Sequence, residues 1–241
     1  MTLPTVACVL MASKDFTPDY PVRLYEGVRE NWTGPLDFLC LTDTPIGYPG
    51  IREIPLEHRF PGTFCKMELF RPDIRGTLLC FDLDTMITGS LDELRQNRRH
   101  TLLQRLRRHH RHQLASGMLL LPEAVRPVVW NNFTRAPARW MDLYKWGGSD
   151  GRPPGEQGFL QQLWERRGLG TGPKDPAFDY EQWNREGVAR WQKLYPGQIE
   201  SYKIQIRPRG TLGKNTRVVL FHGKPRPADL NWTLPAREVA A

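Results

Sequence analysis

Two aspartates, Asp82 and Asp84, stand one residue apart at the end of the apolar run Thr77-Leu78-Leu79-Cys80-Phe81. If that run is a strand, its side chains alternate with a period of two, so both carboxylates point the same way. No basic residue lies within three positions of either. The two charges therefore repel unless a cation neutralises them, and hard oxygen donors favour Mg²⁺ or Mn²⁺. Such an ion bridges a diphosphate and acts as a Lewis acid on a leaving group. A structural reading competes, because Asp is common where a strand ends and the following turn needs acceptors for its N–H groups. The pair by itself leaves both readings open.

The elements around the pair belong to an alternating pattern. Thr5 to Ala12 is a continuous apolar run of the kind buried on both faces in parallel sheets. Asp19 to Trp32 carries apolar residues at helical spacing and opens near Pro21. Asp37 to Thr42 and Ile51 to Leu56 read as strands, Thr63 to Phe70 as a helix closed by Arg71-Pro72, and Thr77 to Phe81 as the strand that delivers the carboxylates. Beyond them Gly117 to Leu121 reads as a strand, Val125 to Leu143 as a helix interrupted at Pro137, and Glu156 to Arg167 as an amphipathic helix. Val188 to Leu194 reads as a helix, with strands over Ser201 to Ile206 and Arg217 to Phe221. Alternation of strand and helix predicts a mostly parallel sheet covered by helices, with ligands bound at the carboxyl ends of the strands. Asp82 and Asp84 fall at such an end.

The 241 residues, 39% of them hydrophobic, suit one compact α/β domain over 1–241. The net charge of +8 suits an anionic ligand without naming it. Cys8, Cys40, Cys65 and Cys80 have no CxxC spacing, and three of them sit in apolar runs, so reduced core thiols are expected. The N-terminus lacks the pattern of a signal peptide, and no stretch approaches the about 20 apolar residues of a membrane span. The location expected from this is the cytoplasm, with peripheral contact at the inner membrane face as an option for the basic run Arg95 to His112.

Three segments in register, Phe64-Cys65-Lys66-Met67-Glu68-Leu69, Thr77 to Asp84 and Ser90-Leu91-Asp92-Glu93-Leu94, resemble the core of family 8 glycosyltransferases. That group includes glycogenin and the bacterial lipooligosaccharide galactosyltransferases. Ala115-Ser116-Gly117-Met118-Leu119-Leu120 is similar to their N-[SA]-G-V-x-L strand, and Gly155-Glu156-Gln157-Gly158-Phe159-Leu160 to their D-Q-D-x-L helix start. Phe221-His222-Gly223-Lys224-Pro225 is similar to their terminal H-x-x-G-x-x-K-P-W element. The order holds from about residue 5 to residue 232. The resemblance implies a single GT-A domain, with a mixed, mainly parallel sheet and helices on both faces. It also implies transfer of a hexose from a nucleotide diphosphate sugar, with UDP the carrier, to a hydroxyl of a glycan, lipid-glycan or protein, with retention.

The resemblance also implies roles. Asp82 and Asp84 of the DXD motif, with Leu83 between them, would bind manganese or magnesium with His222 as third ligand. Lys224 would meet the diphosphate as a point charge, where Gly223 allows close approach. Lys66 would contact the nucleoside or phosphate, Ala12 and Ser13 would lie along base and ribose, and Glu156 and Gln157 would sit under the donor sugar as the catalytic pair. Three departures mark a divergent, bacterial or phage-type branch: Ala115 replaces Asn, Glu156-Gln157-Gly158 is one acid short, and the terminal motif is compressed, with its tryptophan displaced to Trp232.

Two other classes compete. Phe81-Asp82-Leu83-Asp84 is also similar to the opening of haloacid-dehalogenase-type phosphatases, but Met86 stands where those have Thr, and no later acid pair follows an apolar run. Arg95 to His112, with seven arginines and four histidines, would serve a nucleic-acid or membrane-surface module without catalysis. It lacks interleaved aromatics for base stacking, and His109, His110 and His112 have no acidic or cysteine partner nearby for a metal. Trp140 to Pro154 and Thr171 to Trp183, aromatic and rich in Gly and Pro, are the candidate acceptor loops.

Overall fold

A computed structural model describes residues 3–105, 113–148, 151–165 and 188–238. A seven-stranded sheet has the order β3-β2-β1-β4-β7-β6-β8. Its strands are β1 (Thr5–Leu10), β2 (Phe38–Thr42), β3 (Ile51–Pro55), β4 (Leu78–Phe81), β6 (Thr101–Gln104), β7 (Leu114–Leu121) and β8 (Ala189–Arg190). Every pairing is parallel except those of β7 with β4 and β6, so β7 alone runs against the rest. The chain lays β1, β2 and β3 outward in one direction and then returns to place β4 on the other side of β1. That reversal opens a crevice outside the carboxyl ends of β1 and β4, the place where open α/β sheets bind ligands.

Both faces of the sheet are buried, as the apolar strands require. Ala7, Val9, Leu39, Leu41, Leu78 and Cys80 pack under a 3-10 helix over Gly62–Phe70 and under α2 (Val125–Thr134), α3 (Pro137–Tyr144) and α4 (Glu156–Glu165). The alternate residues Val6, Cys8, Leu10, Phe38, Cys40, Leu79 and Phe81 pack on the other face, against Tyr20, Leu24 and Val28 of α1 (Asp19–Glu30). Period-two alternation thus continues through strands that read as uniformly apolar. The four cysteines are buried and free. Ser90-Leu91-Asp92-Glu93-Leu94 is structural: Leu91 and Leu94 are core residues, and Asp92 accepts from the amide and hydroxyl of Thr33.

A second sheet, β5-β10-β9, is made of Thr85–Ile87, Val218–Leu220 and Ile199–Ser201. The strand expected over Ser201 to Ile206 ends at Ser201. The Ser201 hydroxyl accepts from the Ile204 amide and Gln205 Oε1 accepts from the Ser201 amide, so side-chain bonds turn the chain into a wide helical turn over Tyr202–Ile206. The helix expected over Val188 to Leu194 is shortened to α5 (Trp191–Leu194), because Ala189 and Arg190 pair with the edge of β6. The segment expected as a helix near Thr63 to Phe70 is wound as a 3-10 helix and ends at an extended Arg71 before Pro72. Pro137 starts α3 at its first turn, where its missing N–H costs nothing.

Candidate functional site

The strand β4 delivers Asp82 by running out of sheet. The Asp82 amide makes a last bond to the Gly117 carbonyl at 2.9 Å, and the Thr85 amide then folds back to the Asp82 carbonyl at 3.1 Å. The chain therefore leaves the large sheet at Phe81 and enters the small one at Thr85, with the two aspartates in the crossing. There β5 pairs antiparallel with β10, and the Phe221 amide donates to the Asp84 carbonyl at 3.2 Å. That pairing brings the segment after β10, with His222 and Gly223, beside residues almost 140 positions earlier in the sequence.

A cleft of about 540 Å³ lies at the crevice between β1 and β4. Asp82, Leu83, Asp84, Lys66, Ser13, Gln157, His222 and Gly223 all line it. Ala12 and Lys224 are exposed and Glu156 is fully buried, and none of the three belongs to the lining. The Ala12 amide is held by Asp43 Oδ1 at 2.8 Å, and the Ser13 hydroxyl accepts from the amides of Asp15 and Phe16, so this segment forms a rigid rim.

Lys66 sits within a buried cluster. Its ammonium lies 2.8 Å from Asp82 Oδ1, 2.7 Å from Glu156 Oε1 and 2.8 Å from Ser116 Oγ, and the Ser116 hydroxyl donates to Glu156. Burial alone would push Lys66 down; Asp82 and Glu156 outweigh it and hold the ammonium above the ordinary lysine range. The resemblance implies Lys66 at the nucleoside or phosphate and Glu156 under the sugar. In the structure Lys66 lines the cleft between the carboxylates of Asp82 and Glu156, Glu156 is buried away from the cleft, and Gln157 lines it.

Asp84 is 8% exposed, and burial together with the neighbouring charge of Asp82 raises its carboxyl to about 7. Among the described residues no lysine or arginine closes an ion pair with it. An uncompensated carboxylate beside a second one is the donor chemistry a divalent cation fits. Among the described residues no three His, Cys, Asp or Glu side chains already converge on one point, so the fit rests on the two aspartates, with His222 on the same cleft wall.

Arg226 is the residue that sequence reasoning missed. It lines the cleft, ion-pairs with Asp15 at 3.3 Å, donates to the Asp15 carbonyl at 2.8 Å and stacks its guanidinium 4.1 Å from the Phe16 ring centre. Its Nε is buried without a hydrogen-bond partner. The signal was present in His-Gly-Lys-Pro-Arg-Pro, whose compression shifts a cation two places past Lys224.

The missing acid of the helix start also has a physical reason. A Cβ on Gly158 would stand 2.3 Å from the Pro153 carbonyl oxygen and 2.3 Å from the buried Tyr144 ring. Only glycine lets the loop before α4 pack so closely on the helix.

The basic run is described only to Arg105. His109, His110, His112 and the loop Thr171 to Trp183 lie outside the described residues. No described helix is long and apolar enough to cross a membrane.

No protein-family model matches the sequence, and no curated protein matches it at a significant level. Solved structures are similar in fold. GlyE, a glycosyltransferase of Streptococcus pneumoniae TIGR4, superposes with a TM-score of 0.56 at 11% identity, over 93% of this chain and 56% of GlyE. The chain thus spans little more than half of that protein's length. The galactosyltransferase LgtC, solved with donor and acceptor sugar analogues, gives 0.55 at 14% identity over 92% and 88% of the two chains. Mouse xyloside xylosyltransferase 1 gives 0.50 at 10% identity over 92% and 98%. At these identities the likeness is one of architecture, and with the sheet order and the crevice described above it assigns the chain the GT-A fold of these glycosyltransferases.

Proposed function

We propose that the chain is a metal-dependent glycosyltransferase that moves a hexose from a nucleotide diphosphate sugar, with UDP as carrier, to an acceptor hydroxyl with retention. The observation that supports this most is the buried Asp84, with no ion pair among the described residues, beside Asp82 at the switch point between β1 and β4, in a cleft that also holds Arg226. Asp82, Asp84 and His222 are the residues to hold Mn²⁺ or Mg²⁺, and the ion, when bound, supplies Lewis-acid stabilisation of the leaving diphosphate.

The remaining roles belong to the chain's own groups. Arg226, rather than the exposed Lys224, offers a guanidinium fork to phosphate oxygens. Gly223, at φ 71°, keeps the backbone low enough for the diphosphate to approach. The rim at Ser13 faces the nucleoside, and Gln157 projects its amide toward the sugar. Glu156 acts from behind, fixing Lys66 and through it Asp82.

A panel of UDP- and GDP-sugars assayed with Mn²⁺ tests the reading. Transfer or hydrolysis is expected in the wild type and is expected to vanish in Asp82→Ala, Asp84→Ala and His222→Ala; full activity in Asp84→Ala overturns it.

A further inference from the structure

A second cavity of about 290 Å³ adjoins the donor cleft, and Gln157 and His222 stand in the walls of both. The two differ in chemistry. The first carries the carboxylates Asp15, Asp82 and Asp84. The second is lined by Gln104, Arg105, Gln157, Gln192, Lys203 and His222, and no carboxylate is among its described lining residues. Ala115 and Leu220, small or apolar groups, also line it.

The polar groups are held in place. Gln192 Nε2 donates to the Gln104 carbonyl and Gln192 Oε1 accepts from the Gln104 amide, both at 2.9 Å, which locks α5 to the end of β6. Lys203 Nζ donates to the His222 carbonyl at 2.5 Å, and an ammonium has three N–H groups, so donors remain for a ligand. Arg105 Nη1 donates to Gln113 Oε1 at 2.7 Å, which fixes the guanidinium at the cavity wall. Amides serve sugar hydroxyls in either sense, whereas the ammonium and guanidinium among the described lining residues attract anions. A volume near 300 Å³ is the lower range of small-ligand sites.

On the transferase reading above, we propose that this cavity is the acceptor subsite and that its acceptor is a saccharide carrying an anionic group, carboxylate or phosphate, held by Lys203 and Arg105. The reacting hydroxyl then faces the wall shared with the donor cleft. In the transfer its oxygen bonds to the anomeric carbon, and the bond from that carbon to the diphosphate breaks with its electron pair leaving on the diphosphate oxygen. The hydroxyl proton passes to that departing oxygen.

The test is a ligand-observed NMR titration of the full chain saturated with UDP and Mn²⁺. The probes are methyl glucuronide for the carboxylate, glucose 6-phosphate for the phosphate and methyl glucoside as the neutral control. At least one anionic probe is expected to bind tenfold or more tightly than the neutral one, and the arm that does so identifies the group. Lys203→Gln is expected to reduce that preference at least fivefold while UDP affinity stays within twofold; Arg105→Gln is the second variant, should the first not fold. Equal binding of all three probes overturns the proposal, as does a preference that survives both substitutions. Failure of the wild type to bind UDP overturns the transferase reading and this proposal with it, whereas UDP binding without anion preference overturns this proposal alone.

Discussion

The ammonium of Lys66 lies 2.7 Å from the carboxylate of Glu156, a residue with no exposed surface, and the same ammonium reaches Asp82 at 2.8 Å. One cation therefore compensates two acids from different elements, the 3-10 helix, the end of β4 and the start of α4 being tied at a single nitrogen. Removing it leaves Glu156 charged and buried with Oε2 already lacking a partner. Lys66→Met is expected to cost about 3–5 kcal/mol, and Lys66→Met with Glu156→Gln to recover much of it. Urea denaturation of the four members of that double-mutant cycle measures the coupling; simple additivity would refute it.

Asp84 gives a pH-dependent prediction. Its folded carboxyl titrates at about 7 against 3.8 for the ordinary carboxyl. Between those values the folded state binds more protons than the unfolded chain, so its contribution to stability falls as pH rises toward 7. Asp84→Asn, which mimics the protonated form, is expected to raise the metal-free protein's stability at pH 8 by about 2 kcal/mol, or about 4–8 °C in Tm. The gain should shrink as pH is lowered through 7. The wild type is expected to gain Mn²⁺-dependent stabilisation from UDP, and the same variant to lose it. Thermal scans at pH 5.5 and 8, with and without UDP and Mn²⁺, read both effects.

Gly158 is fixed by contact with Tyr144 and Pro153. Restoring the acid of the resembling motif by Gly158→Asp is expected to destabilise by more than about 3 kcal/mol, since a side chain and a charge must enter filled space. Circular dichroism with chemical denaturation measures this, and a variant as stable as the wild type would show that the loop before α4 can retreat.

The proposed diphosphate contact is assigned to Arg226, which lines the cleft, rather than to the exposed Lys224. Arg226→Gln is expected to weaken UDP binding about tenfold and UMP binding much less, and Lys224→Gln to change either by less than about threefold, since a charge-assisted bond to one phosphate is worth about 1.5–3 kcal/mol. Isothermal titration with UDP and UMP separates loss of a phosphate contact from general unfolding, because unfolding lowers both affinities alike. A larger loss at Lys224 would return the role to it.

Much of the fold was legible because apolar runs of strand length have few alternatives. Thr5 to Leu10, Phe38 to Thr42 and Leu78 to Phe81 are buried on both faces of the sheet, where continuous hydrophobicity is the only workable pattern. The strands at Thr85–Ile87 and Thr101–Gln104 were not legible, because three or four residues carry no period and their pairing is decided by distant partners. The turn at Tyr202–Ile206 was misread for a similar reason: two side-chain bonds outweigh a local β preference.

The candidate site divides in the same way. The sequence alone determined the carboxylate pair and the strand that carries it, because period-two geometry and the absence of nearby base are local properties. Only the tertiary structure decided which cations face that pair. Lys66 turns inward to Glu156 because its helix packs on the same sheet face as α4, and Arg226 enters the cleft because Asp15 and Phe16 hold it there. Charge in a sequence carries no direction; burial and the partners across the fold assign it one.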